Sequence, residues 1–276
     1  MSLSDLRCIM VCVDYSDILD ITLAYNVRKV QSVLVVTHPR DLKTIEVCKK
    51  HEVECFQTSV FYEREAVFNK FAALELGLDY MGRHGWLAIM DADILLPDRM
   101  HLWTKREGNL YTPRRRMHPK MLQSVADVPL ERRWRNWKYP MGNEEFAGYC
   151  QIFHASDPVL GPGPWHATNC TWAGTADSWF HQKWKDRNKV RPPFEVLHLG
   201  EAFTNWAGRV SPYADGTVPE NAEKNADTHG VLLRQRRGKV GLNRFEMEML
   251  KNETGSGDDH STEAIANSNG FHHKRS

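Results

Sequence analysis

Two aspartates at positions i and i+2 follow a short apolar run in the segment Trp86–Pro97, which reads WLAIMDADILLP. Because alternate residues of an extended chain project to the same side, we expect the side chains of Asp91 and Asp93 to point together beyond a buried strand. Two such carboxylates repel each other unless a cation lies between them, and their oxygens suit Mg²⁺ or Mn²⁺. The spacing is typical of a site for a metal diphosphate. The alternative is that both aspartates only end the strand and cap the next turn.

The first hundred residues alternate short β-branched runs with amphipathic segments, and this alternation must position the two aspartates. It predicts the order β-α-β-α-β-α-β, with right-handed crossovers and a largely parallel α/β sheet flanked by helices. Ligands bind at the carboxyl ends of such strands, where this chain carries Asp14, Thr37, His38 and the two aspartates. The predicted strands cover residues 8–13, 32–37, 53–57 and 86–90, and the predicted helices cover 18–30, 41–51 and 63–81.

Beyond Pro97 the sequence is rich in proline, glycine and tryptophan, which predicts loops draped over the sheet. We expect a strand at 146–154, a helix at about 177–186 and a strand at 195–199. Residues 1–100 and residues 101–250 are expected to form the two halves of a single domain. Residues 251–276 lack hydrophobic periodicity and are predicted to be a disordered tail.

The composition excludes several classes of protein. The 276 residues are 41% hydrophobic and 26% charged, as in an ordinary globular protein, which excludes wholesale disorder. The longest apolar stretches are strand-sized, far short of the roughly 20 residues that span a bilayer, so no membrane partner is expected. The chain opens with no signal-peptide pattern, and its six cysteines form no CxxC pair. These features predict a cytoplasmic protein with reduced thiols.

Six blocks of sequence along residues 7–209 resemble the GT-A-fold glycosyltransferases, and among them the family-2-like enzymes of bacteria and phages. The blocks are the first strand ending in Asp14, FNKFAALELGLDYM (68–81), DADILLP (91–97), FAGYCQIFH (146–154), WAGTADSWF (172–180) and VLHLGEAFTNWAGR (196–209). The resemblance implies a GT-A-type fold and transfer of a sugar from a nucleotide-sugar donor, expected to be a UDP-sugar, to an acceptor hydroxyl. It also implies Mn²⁺ or Mg²⁺ as the cofactor. Residues 1–100 would then be the nucleotide-sugar-binding half, and residues 101–250 the acceptor-binding and metal-completing half. The resemblance places the protein in the cytoplasm of a bacterium or a phage-infected cell.

The resemblance further implies roles in binding the donor. Asp14, Thr37 and His38 would lie near its base and ribose. Lys70, just before the DXD strand, would contact the diphosphate or pair with the first acid of the motif, unless it is a solvated helix lysine. Arg209 would reach a phosphate, unless it is a surface arginine.

The metal ligands implied by the resemblance are Asp91, Asp93 and His198. Asp91 would face the ribose or a water on the metal, and Asp93 would ligate the metal directly. His198 in LHLG would complete the site, and two carboxylates with a neutral imidazole are a reasonable ligand set for Mn²⁺. The alternative is that His198 is packed at a strand end and bonded to the backbone.

The catalytic base implied by the resemblance is Asp177 in WAGTADSWF, since an inverting transfer needs a carboxylate to take the proton of the attacking hydroxyl. An aspartate directly before a helical run is also a good N-cap, which is the alternative reading. Glu144 or Glu145 is a further alternative for the base. The chain has Ala176-Asp177 where inverting relatives more often have Glu-Asp, so neither inversion nor retention is assigned.

Residues 114–138 contain eight basic and two acidic residues, a net charge of +6 in a chain whose total is +1. Basic residues interleaved with aromatic rings favour a phosphate backbone and unstacked bases. We therefore expect DNA as the acceptor, with a 5-hydroxymethylpyrimidine such as 5-hydroxymethylcytosine in phage DNA supplying the primary hydroxyl. The alternatives are a solvated arginine-rich loop and a loop that recognises only the donor diphosphate. The expected acceptor-binding residues are Arg132, Arg133, Trp134, Arg135 and Trp137.

Three other functions fit parts of this pattern. One is a glycosyltransferase that acts on a surface polysaccharide or another glycan. The second is a nucleotidyltransferase, but such enzymes normally hold a triphosphate with a Gly-rich loop after the first strand, and VDYSDILD (13–20) has no glycine. The third is a non-enzymatic module that binds a nucleotide or a glycan, and the intact DXD motif and His198 speak against it.

Overall fold

The computed structural model describes residues 5–66, 68–98, 100–118, 122–137, 148–170 and 179–200. Asp177, Arg209, Glu144, Glu145 and the predicted tail at 251–276 lie outside the described residues. In the part of the chain that is described, every helix is too short or too polar to cross a bilayer.

The first part of the chain forms the predicted alternation of strands and helices. Its elements are β1 (Leu6–Val11), α1 (Ser16–Asn26), β2 (Ser32–Thr37), α2 (Leu42–Lys50), β3 (Glu54–Gln57), α3 (Lys70–Met81) and β4 (Trp86–Met90). These four strands are parallel and lie in the order β3-β2-β1-β4. The predicted largely parallel sheet flanked by helices is therefore confirmed.

Helix α3 begins later than the predicted start at Glu63. Residues Val60–Glu65 form a separate 3₁₀ helix, and the Asn69 side chain accepts a hydrogen bond from the Ala72 amide at 3.0 Å. Asn69 is thus the N-cap of α3. The hydrophobic pattern did not indicate this break, because Ala66 and Phe68, which lie between the two helices, are also apolar and pack against the core.

The second part of the chain contains more strands than the sequence indicated. They are β5 (Ile94–Leu95), β6 (Leu110–Tyr111), β7 (Arg114–His118), β8 (Cys150–His154), β9 (Lys189–Val190) and β10 (Glu195–Leu199). β8 is antiparallel to β4 and extends the main sheet to the order β3-β2-β1-β4-β8-β6-β9. β10 pairs with β5 on one side and β7 on the other in a second sheet.

Two predictions for this part need correction. The prediction of draped loops is wrong for β5 and β7, which form a sheet with β10. The predicted strand at 195–199 is confirmed. The helix at 177–186 does not run to its predicted end, because His181–Lys183 and Asp186–Asn188 are separate 3₁₀ turns. Trp184, between them, has an extended backbone and is buried against Phe180.

The core covers both faces of the main sheet. Cys8 of β1 belongs to the cluster that includes Leu19 of α1, whereas its neighbour Ile9 belongs to the cluster that includes Leu74 of α3. A third cluster contains Ile18 of α1 and Leu197 of β10. This packing attaches the second sheet to α1.

Candidate active site

The DXD motif lies between the two sheets, at the carboxyl end of β4. The Asp91 amide donates to the Tyr149 carbonyl at 2.9 Å, and β5 begins directly after Asp93. The Asp91 side chain is 32% exposed, whereas the Asp93 side chain is 8% exposed. The two carboxylates of the motif therefore lie in different environments, one facing solvent and one inside.

Asp91 is paired with the first residue of α3. Lys70 Nζ donates to Asp91 Oδ1 at 2.7 Å, and only 12% of the lysine side chain is exposed. Burial alone would raise the pKa of Asp91, but the charge and hydrogen bond of Lys70, followed by His198 and Arg115, lower it below the usual value. Asp91 is thus an ionised carboxylate at neutral pH with a cation already beside it.

Asp93 lies beside His198 because β5 and β10 are antiparallel neighbours. The register pairs Ile94 with His198, and the Leu199 amide donates to the Asp93 carbonyl at 2.9 Å. His198 Nε2 is 2.9 Å from Asp93 Oδ2, and both side chains are buried. The second carboxylate oxygen, Asp93 Oδ1, is buried and has no hydrogen-bond partner among the described residues.

Arg115 of β7 contacts the other nitrogen of the imidazole. Arg115 Nη1 lies 2.7 Å from His198 Nδ1, and a guanidinium has no acceptor atom, so Nδ1 accepts and Nε2 carries the ring proton. The guanidinium also lies 4.5 Å from the centroid of the Tyr149 ring. The parallel pairing of β7 with β10 thus brings a cation from the basic segment to the DXD motif.

The residues at this site fit a divalent cation in part. A carboxylate oxygen without a hydrogen-bond partner is a natural ligand for such an ion. Two neighbouring ligand atoms on metal bonds of about 2.1 Å lie about 3.0 Å apart. Asp93 Oδ2 and His198 Nε2 are 2.9 Å apart, which is close to this distance. His198 offers Nε2 to an ion only after its proton moves to Nδ1 and Arg115 releases that atom. Among the described residues, however, His, Cys, Asp and Glu form no group of three or more that could hold a metal. The structure therefore brings together Asp93 and His198 of the predicted ligands, while Asp91 pairs with Lys70.

The carboxyl ends of β1 and β2 are organised by Asp41, which the sequence analysis did not select. Asp41 is the N-cap of α2, and its carboxylate accepts hydrogen bonds from the Asp14 amide at 2.8 Å and the Thr44 hydroxyl at 2.7 Å. Asp14 has φ 64°, a left-handed conformation that aspartate tolerates. An aspartate before an amphipathic helix is the signal that could have identified Asp41.

Two of the predicted nucleotide contacts have internal roles. The Thr37 side chain is fully buried, and its hydroxyl lies 3.4 Å from Asp41 Oδ2. The His38 ring is buried next to Tyr62, with ring centroids 5.6 Å apart, and its Nδ1 accepts from the Arg40 amide. The Thr37 hydroxyl is thus enclosed and bonded inside the protein, and the placement of Thr37 and His38 near the base and ribose stays a prediction.

The basic segment divides into two parts. Its start is strand β7, in which Arg116 makes two hydrogen bonds to Glu195, at 2.7 and 3.0 Å. Its later part is a 3₁₀ helix at Glu131–Asn136. The prediction of a loop is therefore wrong for residues 114–118, which form a strand of the second sheet. Contact of the segment with a phosphate backbone stays a prediction. Three exposed arginines of the later part make no side-chain hydrogen bond or ion pair within the described ranges; they are Arg132, Arg133 and Arg135.

Neither predicted acceptor tryptophan presents an open ring. Trp134 is 2% exposed, packs in the cluster with Ile18, and donates from its indole to the Pro129 carbonyl at 2.9 Å. Trp137 is partly buried and lies edge-on to His118, with centroids 4.8 Å apart. Base stacking on Trp134 is therefore a wrong prediction, because the ring is a core residue that anchors the 3₁₀ helix.

Several solved structures are similar to this chain. A mannosyl-3-phosphoglycerate synthase from Rubrobacter xylanophilus is 13% identical, with 88% of this chain and 77% of that chain covered and a TM-score of 0.46. A glucosyl-3-phosphoglycerate synthase from Mycobacterium tuberculosis, in complex with Mn²⁺, UDP and glucosyl-3-phosphoglycerate, is 9% identical, with coverages of 72% and 71% and a TM-score of 0.44. A 4-diphosphocytidyl-2C-methyl-D-erythritol synthase from Anaerococcus prevotii is 12% identical, with coverages of 83% and 99% and a TM-score of 0.38. No protein-family model and no curated protein matches the sequence. Similarities at this level do not say which reaction this chain catalyses.

Proposed function

We propose that this protein is a metal-dependent glycosyltransferase that moves a sugar from a nucleotide-sugar donor, a UDP-sugar, to an acceptor hydroxyl. The observation that supports this most is Asp93, whose buried Oδ1 lacks a hydrogen-bond partner among the described residues and whose Oδ2 is 2.9 Å from His198. A buried ionised oxygen is costly unless something binds it, and these ligand types suit Mn²⁺ or Mg²⁺. The six sequence blocks that resemble GT-A glycosyltransferases support the same conclusion.

The chain's own charged groups fit the binding of a diphosphate. A divalent ion bound by Asp93 and His198 would act as a Lewis acid that neutralises the leaving diphosphate. Lys70 and Arg115 supply two further positive charges next to the motif, each held in place by Asp91 or by His198. Because these groups are positioned before the donor arrives, they need little reorganisation as charge develops on the diphosphate.

Asp177 is our proposed catalytic base, with Arg209 as a further contact to the diphosphate. Both assignments rest on the resemblance alone, since both residues lie outside the described residues. An N-cap role for Asp177, and Glu144 or Glu145 as the base, are the competing assignments. Rate and stability measurements on the same Asp177 variant separate the base from the cap.

The acceptor we propose is a 5-hydroxymethylpyrimidine in phage DNA. The supporting observation is the row of three exposed arginines on the 3₁₀ helix at Glu131–Asn136, whose side chains have no partner among the described residues. Unpaired arginines at a surface are suited to phosphate oxygens, which they can bind through two parallel hydrogen bonds. A surface glycan is the competing acceptor, and it gives these charges no partner unless the glycan is anionic.

The test is a transfer assay with a panel of UDP-sugars, Mn²⁺, and duplex DNA that contains 5-hydroxymethylcytosine, 5-hydroxymethyluracil or neither. We expect a mass shift on the modified nucleoside alone. Donor hydrolysis without transfer to DNA would reject the DNA acceptor but keep the glycosyltransferase. Binding of UDP without turnover of any donor, with or without a glycan acceptor, would make the protein a binding module.

A further inference from the structure

A groove of about 410 Å³ lies at the opposite end of β10 from His198. It is bordered by residues 193–194 before β10, by residues 102–103 and by the 3₁₀ helix at Glu131–Asn136. Its lining includes Trp103, Phe194, Arg132, Arg135, Glu131 and Glu195. The groove therefore combines aromatic rings with charged side chains, and neither the DXD motif nor the donor residues belong to it.

The aromatic wall of the groove is fixed by its neighbours. The Trp103 ring lies edge-on to Phe194, with centroids 5.2 Å apart, and edge-on to Tyr111 at 4.6 Å. Trp103 and Phe194 are only half-buried, so part of each ring faces the groove. Rings held in this way can receive a flat aromatic group without first being ordered, which lowers the entropic cost of binding.

The carboxylates and the arginines of the groove differ in whether they have partners. Glu195 is paired with Arg116 at 2.7 Å, and Glu131 accepts a hydrogen bond from the Asp98 amide at 2.8 Å. By contrast, the side chains of Arg132 and Arg135 make no hydrogen bond or ion pair within the described part of the chain. Both carboxylates are thus engaged, and the two guanidinium groups are available to an anionic ligand.

We propose that this groove binds a nucleotide of the acceptor DNA that flanks the modified one, an inference that rests on the proposed DNA acceptor. A base that leaves the duplex stack would lie against Trp103 and Phe194, and phosphate oxygens would bind Arg132 and Arg135. Stacking on fixed rings together with charge pairing is how proteins hold an unpaired strand. An uncharged glycan would leave both arginines without partners.

The groove is apart from the DXD site. Glu195 precedes His198 by three residues of β10, which is about 10 Å along the strand at about 3.3 Å per residue. Residues three apart on a strand project to opposite faces of the sheet. An acceptor that occupies both places must therefore be extended, as a DNA strand is.

An anionic lipid surface is the alternative that the experiment must separate from DNA. Leu102 at the edge of the groove is 71% exposed, and Leu130 before the 3₁₀ helix is 58% exposed. Arginines beside exposed leucines can also bind anionic membranes. The aromatic wall favours a base, because half-buried rings held edge-on to each other do not reach into a bilayer as exposed aliphatic side chains do.

The experiment measures binding of the full-length protein to a fluorescent duplex with one 5-hydroxymethylcytosine, by anisotropy, from 50 to 300 mM salt. The variant pair is R132Q with R135Q, and the control pair K43Q with K49Q removes equal charge from α2. We expect the groove variant to bind at least tenfold more weakly and its salt slope to fall by about two, since each lost phosphate contact removes about 0.9. A third variant, W103L, is expected to bind about five- to 150-fold more weakly with an unchanged salt slope.

The controls keep this inference separate from the proposed function. Equal affinities and salt slopes for the groove variant and the wild type, with DNA still glycosylated, would overturn the groove and keep the DNA acceptor. Wild-type protein that turns over a UDP-sugar but neither binds nor modifies DNA would overturn both the groove and the acceptor. Binding to vesicles with 30% phosphatidylserine, lost in the arginine pair and accompanied by no DNA binding, would assign the groove to a membrane. Melting curves establish that each variant is folded, so an unfolded W103L leaves the arginine pair to decide.

Discussion

The two ends of β10 hold charged side chains in opposite states. At the His198 end, Asp93 and His198 are buried, and Arg115 and Lys70 each have an anionic or imidazole partner. At the Glu195 end, Arg132 and Arg135 are exposed, and their side chains have no partner among the described residues. One end is an organised, largely desolvated cluster, and the other is an open groove with two arginines that have no partner among the described residues.

This difference indicates a division of work between the two ends. Buried charges in fixed geometry are suited to stabilising the charge that develops during reaction, because the local dielectric is low and the groups need not move. Exposed, unpaired cations are suited to attracting a polyanion, because they give up few internal contacts on binding. We therefore expect changes at the His198 end to affect the chemical step, and changes at the Glu195 end to affect acceptor binding and its salt dependence.

The largest effect is expected when the proposed catalytic base, Asp177, is replaced by its uncharged amide, and it falls on the chemical step. Asp177→Asn keeps a side-chain oxygen that can cap a helix but removes the basicity of the carboxylate. Transfer should therefore slow by at least about 10²-fold with little change in melting temperature. Single-turnover kinetics and a thermal melt on the same preparation check this. A variant with normal rate and a lowered melting temperature would assign Asp177 as a cap.

A smaller effect is expected when the partner of Asp91 is removed. Lys70→Met takes away the main group that lowers the pKa of Asp91, while burial, which raises this pKa, remains. The pKa of Asp91 should rise, so the acid limb of the pH–rate profile should move to higher pH, with a loss of about tenfold at neutral pH. The exposed Lys49→Met is the matched control. An unshifted acid limb in Lys70→Met would show that Asp91 does not control activity.

The sign of this effect also predicts how stability depends on pH. A carboxyl group whose pKa is lowered by folding stabilises the protein above its unfolded pKa, and this contribution is lost as the pH falls through the folded pKa. Wild-type protein should therefore lose stability faster than Lys70→Met as the solution is acidified through this range. Urea denaturation at several acidic pH values measures the difference. Parallel curves for the two proteins would contradict the ion pair.

The smallest of these effects is expected at β7, where substitutions of two neighbouring arginines can be compared. Arg115 contacts His198, whereas the adjacent Arg114 is exposed. Arg115→Met should lower kcat several-fold and shift the acid limb of the pH profile, because it removes a cation near Asp91 and the group that orients the imidazole. Arg114→Met should leave both unchanged. Equal effects of the two substitutions would mean that only the total charge of β7 matters.

The part of the site that could be predicted from sequence is the part set by local pattern. The apolar run Trp86–Met90 followed by two aspartates, and the short run around His198, each contain their own signal of a strand with polar residues at its end. Asp93 meets His198 because β5, directly after the motif, pairs with β10. The resemblance implied this meeting, and the local pattern of each strand did not. The bounds of β4 and of β10 agree with those predicted.

The remainder depends on contacts between distant parts of the chain. β7 reads RRRMH, which has no apolar alternation, and it becomes a strand only because β10, about 80 residues later, pairs with it. The basic composition therefore suggested a DNA-binding loop where the structure has Arg115 beside His198. Trp134 was misassigned for the same reason, since its burial depends on Ile18 and Leu197, which are distant in sequence.

The central claim is that Asp93 and His198 hold a divalent cation at the end of β4. An electron paramagnetic resonance titration of Mn²⁺ into the protein, in the presence of UDP, measures this without any need for turnover. Asp98→Asn is the matched control, because Asp98 is close in sequence but 67% exposed and paired with Lys29. We predict saturable uptake of Mn²⁺ by the wild type and by Asp98→Asn, with at least tenfold weaker binding by Asp93→Asn. Equal binding by wild type and Asp93→Asn, or no uptake by the wild type, would contradict the account.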